Sequence, residues 1–256
     1  MRERERVLEV ALAAHARYRD DGVDTHATAL AYQLFLSTLA LSLVGLAVIG
    51  VLDRVLPFEL PAGTQDQFTN LVHGRATLGI ASVLLLLWTA SALGRRTSRA
   101  LGIVFRTGAF DLVQGGLRSV ATTLGLILLI GALPIATGMV TAIRARTGVE
   151  QPLQVLGFLG LAVLEFGLFL LSYRVLTPGH IGWREHLPGA LVMTAGWDLF
   201  KLAGGVFLTA YVSRATLLYG TIGSVVALLV VLRGATWLYL VGAEISALRI
   251  ERRLER

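Results

Sequence analysis

Four ionisable residues lie deep inside long apolar runs of this chain: Glu165, Asp198, Lys201 and Arg233. Two acids and two bases sum to zero, and Asp198 and Lys201 share one helical face at a spacing of three. Charge in an apolar run is costly, so such residues either pair with one another or mark a route for ions, protons or polar groups. The sequence leaves both roles open, because a buried polar cluster also locks helices together. A second group stands where apolar runs give way to polar connections. Arg174, Arg184 and Glu244 read as interfacial anchors that reach toward water, or as binders of anionic headgroups.

Other chemistry finds no support in the residue pattern. The five histidines (His15, His26, His73, His180 and His186) form neither a His-x-His nor a His-Glu-x-x-His pattern, so a metal site is not expected. Lys201 follows no glycine-rich phosphate loop, and no Gly-x-Ser-x-Gly elbow is present. The carboxylates are scattered rather than clustered as metal-dependent nucleases require. The absence of cysteine excludes disulfides and thiolate chemistry. The expectation is a protein that is not an enzyme and holds no cofactor.

The elements that position these residues follow from composition. Of the 256 residues, 55% are hydrophobic and only 16% charged, whereas soluble chains carry about 25% charged residues. The mean hydropathy of +0.69 agrees, and the apolar residues fall in runs near the ~20 needed to cross ~30 Å of hydrocarbon. The expected fold class is all-α: a polytopic membrane protein of six transmembrane helices, at about 29–52, 76–93, 119–143, 153–176, 187–212 and 217–243. Pro134 predicts a kink in the third.

Residues 1–28 precede the first span. Within 2–21, Val7, Ala11, Ala14 and Tyr18 fall on one helical face among charges, which predicts an amphipathic helix on the cytoplasmic membrane surface. Asp20, Asp21 and Gly22 end it. Residues 94–118 place Leu101, Val104 and Phe105 among arginines and predict a second surface-lying helix. Within 53–75, a short helix is expected over 64–72. Residues 244–256 read as a basic cytoplasmic tail.

Basic residues exceed acidic ones by six, and 22 of the 23 are arginine. Summed over alternate connections, sixteen arginines fall on one side and five on the other. By the positive-inside rule, both termini are cytoplasmic. The partners expected are membrane lipids, anionic headgroups among them, and not nucleic acid. Glycines recur on the fifth span (Gly189, Gly196, Gly204 and Gly205) and on the fourth (Gly157, Gly160 and Gly167). That spacing predicts close helix packing there.

The chain resembles the YihY/BrkB family of bacterial inner-membrane proteins over about residues 7–250. The most specific stretch is Tyr173–Lys201, with its Tyr-Arg, a short polar loop, Trp-Arg, Pro-Gly-Ala and a helix bearing Trp, an acid and Lys. Ala29–Ser37, Tyr219-Gly220 and Gly242-Ala243-Glu244 are also similar. Three places depart from the pattern: Ser37–Ala40 where Ser-Leu-Phe-Pro is usual, Val231–Arg233 where Trp-Leu-Tyr is expected, and Gly102 where Asn is common. The resemblance implies the bacterial inner membrane and a multi-pass helical fold. Members have been linked to serum resistance and envelope lipid traffic, and an older ribonuclease BN label is regarded as a misassignment. Two functions follow as expectations. One is a transporter or flippase-like translocator of a lipid, amphiphile or small solute through a charged intramembrane site. The other is a non-transporting envelope scaffold or regulator with a structural ion-pair cluster.

Overall fold

The computed structural model describes residues 13–14, 16–55, 75–108, 151–207 and 213–254, and these are all-helical. Five long helices carry the fold: α1 (Val23–Val55), α2 (Arg75–Val104), α3 (Gln151–Leu176), α4 (Trp183–Phe207) and α5 (Ser213–Leu254). A short helical stretch, residues 16–20, precedes α1. The third predicted span, its Pro134 kink and the helix expected over 64–72 lie outside the described residues.

Local chemistry sets the helix ends. Gly22 takes φ +64° and separates residues 16–20 from α1, because only glycine enters that region without steric cost. Asp24 then sits in the first turn of α1, where the helix dipole favours an acid. Past α2, Phe105 and Thr107 donate back to the Leu101 and Gly102 carbonyls at 2.8 and 3.0 Å. Arg106 at φ 53° and Gly108 at φ 80° turn this short hook. It curls so tightly that a Cβ at residue 102 would lie 2.2 Å from the Gly108 carbonyl oxygen. The Gly102 departure is thus built into the hook.

The α1 helix packs against α2 and α5, and α4 packs against α3 and α5. Glycines let α4 and α5 approach along three levels. A Cβ at Gly189 would meet the Gly242 carbonyl oxygen at 2.3 Å, one at Gly196 the Leu238 side chain at 2.6 Å, and one at Gly234 the Phe200 ring at 2.9 Å. Gly160 and Gly167 on α3 instead face open space. Among the described glycines, the packing seam is marked by Gly189 and Gly196 on α4 and not by Gly160 and Gly167 on α3; Gly204 and Gly205 lie outside the residues whose surroundings are described.

The best-buried core gathers at one end of the bundle. It joins Val23 and Ala27 at the start of α1, Leu101 and Val104 at the end of α2, Tyr173 and Leu176 at the end of α3, and Leu240 and Ala243 in the last third of α5. Three sequence expectations are corrected there. Residues 94–104 form no separate surface helix: α2 runs unbroken to Val104, because Leu101 and Val104 are buried core. Residues 244–254 are no free tail but the continuation of α5. Ala14 and Tyr18 are buried within the protein rather than turned outward, because the ends of four helices offer them an apolar seat.

Away from that end the pattern inverts. Leu84 and Trp88 on α2, Val163 on α3, Leu199 on α4 and Val226 and Val230 on α5 are all exposed. Large exposed apolar surface is rare on soluble monomers and normal where lipid is the solvent. Three described stretches have the length and apolarity to cross a bilayer: Val23–Gly45, Leu159–Leu176 and Val225–Arg253. The α2 and α4 helices, which carry the second and fifth predicted spans, are not among them. At about 1.5 Å per residue, the 42-residue α5 is about twice as long as the ~30 Å hydrocarbon layer.

Candidate functional site

The inner face of α3 is set by Glu165, Leu168, Ser172, Tyr173 and Leu176, which recur at helical spacing and are buried. The facing stripe of α4 runs His186, Ala190, Met193 and Thr194, and one to two turns further brings Asp198 and Lys201 to the same side. Where these stripes meet, Lys201 Nζ donates to both carboxylate oxygens of Glu165, at 2.8 and 2.9 Å. The same ammonium lies 2.6 Å from Asp198 Oδ1, one helical turn away. Glu165 is 5% exposed, while the Lys201 and Asp198 side chains are 36% and 19% exposed. Exposed Val163 and Leu199 put this cluster at the level of the outward apolar surface. Two acids share one base, so the group carries one unit of negative charge when every member is ionised.

Arg233 does not join them. It turns toward α1 and pairs with Asp24, while Thr236, one turn further along α5, donates to the Ala27 carbonyl at 3.0 Å. The reason is angular. Gly234 faces Phe200 of α4, and one residue of helix rotation carries Arg233 away from α4. The expected four-membered cluster is therefore three-membered.

The interfacial residues also divide. Arg174 is exposed in the last turn of α3. Arg184 is exposed too, and its guanidinium lies 5.4 Å from the centre of the Trp183 ring. Glu244 is wholly buried, with Arg17 Nε 3.1 Å from its Oε2, and so is no headgroup anchor. Its burial follows from the continuation of α5 into the core, where the chain preceding α1 folds over it.

Arg17 is the residue that sequence reasoning missed. Besides Glu244 it binds Glu251 Oε2 at 2.6 Å and the Val104 carbonyl at 3.0 Å, and it contacts Asp21 at 3.4 Å. One side chain thus ties the N-terminal segment to α2 and α5. Arg106 in the hook adds a contact to Glu251 at 3.5 Å. Beside this latch lies an aromatic stack: Tyr173 pairs with Tyr239 at 4.6 Å between centroids and His186 meets Phe105 edge-on at 5.1 Å. Tyr239 belongs to a Trp237-Leu238-Tyr239 run, which places that sequence about two turns beyond Val231.

The comparisons agree with this architecture. Residues 14–256 match the family described as virulence factor BrkB. A protein described as a UPF0761 membrane protein, from Methylibium petroleiphilum, is 26% identical over 265 aligned positions. That match covers 94% of this chain, and the chain spans 62% of the relative's length. No solved structure matches. A match over nearly the whole chain, joined to long apolar helices, settles the family: this chain is a membrane protein belonging to the BrkB family.

Proposed function

We propose that the chain crosses the bacterial inner membrane six times with both termini in the cytoplasm, and that it moves an amphiphile or small polar solute past the Glu165–Lys201–Asp198 cluster. The observation that carries this reading is the partial exposure of Lys201, 36%, at the level of an otherwise apolar surface. An ammonium that served only to hold helices together is best sealed, since the interaction strengthens as water is excluded. An ammonium that remains reachable can exchange its carboxylate partners for an anionic group in transit. Among the described residues no metal-holding group of His, Asp and Glu lies beside the cluster, and the proposed role is binding and passage.

The topology has its own support. The starts of α1 and α4 and the ends of α2, α3 and α5 all meet in one core, as an even number of crossings requires. The basic asymmetry assigns that end to the cytoplasm.

A scaffold reading has one observation in its favour: the Arg17–Glu244 pair is buried, at 10% and 0% exposure, and ties the N-terminal segment to α5. The two readings separate in liposomes. Reconstituted protein should accelerate the exchange of a fluorescent phospholipid between leaflets, and Lys201→Met should abolish this while leaving the protein folded. Exchange at the rate of empty liposomes favours the scaffold. Reporter fusions after Arg146 and after Arg256 should report outside and inside respectively; the same side for both would refute six crossings.

A further inference from the structure

Between the beginning of α1 and the end of α2 lies a pocket of about 200 Å³ lined by His26, Ala29, Arg96 and Arg99. None of its lining residues is acidic. The Arg96 guanidinium is held at its wall by a bond of 3.5 Å to the Ala29 carbonyl, and Arg96 and Arg99 are exposed there. Among the described residues no carboxylate lies within ion-pair distance of Arg96 or Arg99, as is also true of exposed Arg95, Arg174, Arg184 and Arg252; what sets Arg96 and Arg99 apart is that they share one pocket.

We infer that this pocket binds the phosphate of an anionic phospholipid, with Arg96 and Arg99 as the cationic donors and His26 as a third polar wall. Three features choose a lipid over other anions. The pocket is smaller than the about 300–1,000 Å³ typical of drug-sized ligands, and so suits a head rather than a whole molecule. It lies between two helices whose outer faces continue as exposed apolar surface, through Tyr32 on α1 and through Trp88, Leu85 and Leu84 on α2. From Arg96 to Trp88 is eight residues, about 12 Å along the helix, so a phosphate held by the arginines leaves its acyl chains lying along those side chains. Exposed Trp and Tyr near such a level are the usual markers of the headgroup zone. The site needs only that α1 and α2 stand in a bilayer, and holds whether or not the Lys201 cluster passes cargo.

The experiment uses the purified full chain in detergent and dioleoyl phosphatidylglycerol as the probe, with lipid retention read by native mass spectrometry. Phosphatidylglycerol should be retained more tightly than phosphatidylcholine. The R96Q/R99Q variant should weaken phosphatidylglycerol about 25-fold, at about 5-fold for each arginine, and leave phosphatidylcholine unchanged. Arg252→Gln, an exposed arginine on α5, should change neither. Ala29→Leu fills the pocket with both arginines intact and should weaken phosphatidylglycerol as well, which keeps the test valid if the double variant folds poorly. Equal affinity for the two lipids, or an equal loss in Arg252→Gln, overturns the site. Inorganic phosphate displacing the lipid at comparable concentration overturns the lipid assignment and leaves a free-phosphate site. Translocation is read separately, as leaflet exchange in liposomes with Lys201→Met, so a failure of that reading is separable from a failure here.

Discussion

Lys201 Nζ lies between the two oxygens of Glu165, at 2.8 and 2.9 Å, although the two residues are 36 positions apart and on different helices. Asp198 completes the contact from the same helix as the lysine. This geometry changes what mutation should do. Replacing Asp198 and Lys201 together leaves Glu165 buried without its cation, so that double variant should be no better tolerated than Lys201→Met alone. Lys201→Met should cost about 2–3 kcal/mol, below the about 3–5 kcal/mol of a fully buried broken pair because Lys201 is partly exposed. The triple variant E165Q/D198N/K201M should recover most of that. Unfolding midpoints in detergent measure all three; a triple variant less stable than Lys201→Met would contradict the pairing.

The α4–α5 seam gives a sharper steric test. Gly189→Ala places a methyl 2.3 Å from the Gly242 carbonyl oxygen and 2.5 Å from Ser246 Oγ, and Ser246 Oγ already accepts the Gly189 N–H at 2.9 Å. Backbone stands in the way, so the helices must separate, at about 1–3 kcal/mol. Gly167→Ala meets nothing within 4 Å and should be neutral or stabilising by up to about 1 kcal/mol, the usual gain in a helix interior. Thermal unfolding of the two variants should move in opposite directions or by clearly different amounts. Equal losses would place the seam elsewhere.

Much of this arrangement was legible in the sequence, for reasons that differ by element. Helix type and approximate place followed from apolar run length, and Asp198–Lys201 from spacing alone. The Glu165–Lys201 contact was accessible because burying a lone charge is costly, and that argument requires a partner without needing coordinates. The Arg233–Asp24 pair was not legible: its members are 209 positions apart, and helix rotation decides which neighbour an arginine faces. The Arg17 latch was hidden for another reason. An amphipathic stripe says that a face is buried and does not say whether lipid or protein covers it, so Tyr18 read as membrane-facing. The hook after α2 was not legible: residues 94–118 read as a surface-lying helix, and the closeness of Gly108 to residue 102 depends on tertiary shape.

His186 precedes the fifth predicted span and is fully buried, with no hydrogen-bond partner for either ring nitrogen among the described residues. Burial first, and the Arg174 charge second, push its pKa from 6.5 down to about 4. The folded state therefore prefers the neutral ring. The stability linked to this group is fully present above the unfolded value of 6.5 and is lost as pH falls toward about 4. His186→Phe keeps an aromatic ring against Phe105 and Tyr173 and removes the titration. The unfolding midpoint of the variant should fall less steeply than that of the parent between those two pH values. Parallel profiles would show that His186 is already reached by water.

The last prediction concerns the N-terminal segment. Arg17 is 10% exposed and Glu244 is fully buried, so removing the guanidinium leaves an acid in the core without its nearest cation. Arg17→Ala should therefore destabilise by about 3–5 kcal/mol, the range for breaking a buried pair from one side. Two distinct losses contribute: the Glu244 charge, and the tie to Glu251 and the Val104 carbonyl. Adding Glu244→Gln addresses only the first, so R17A/E244Q should recover part of the loss but not all. Deleting residues 2–21 removes Arg17, Asp21 and buried Tyr18 together, and should cost at least as much as Arg17→Ala. A segment resting only on the membrane surface predicts the opposite, with the truncated chain as stable as the parent. Unfolding midpoints of the three variants, with proteolysis of the α2 hook as a local readout, decide between them. If Arg17→Ala unfolds like the parent, the latch carries no stability and the N-terminal segment is not part of the core.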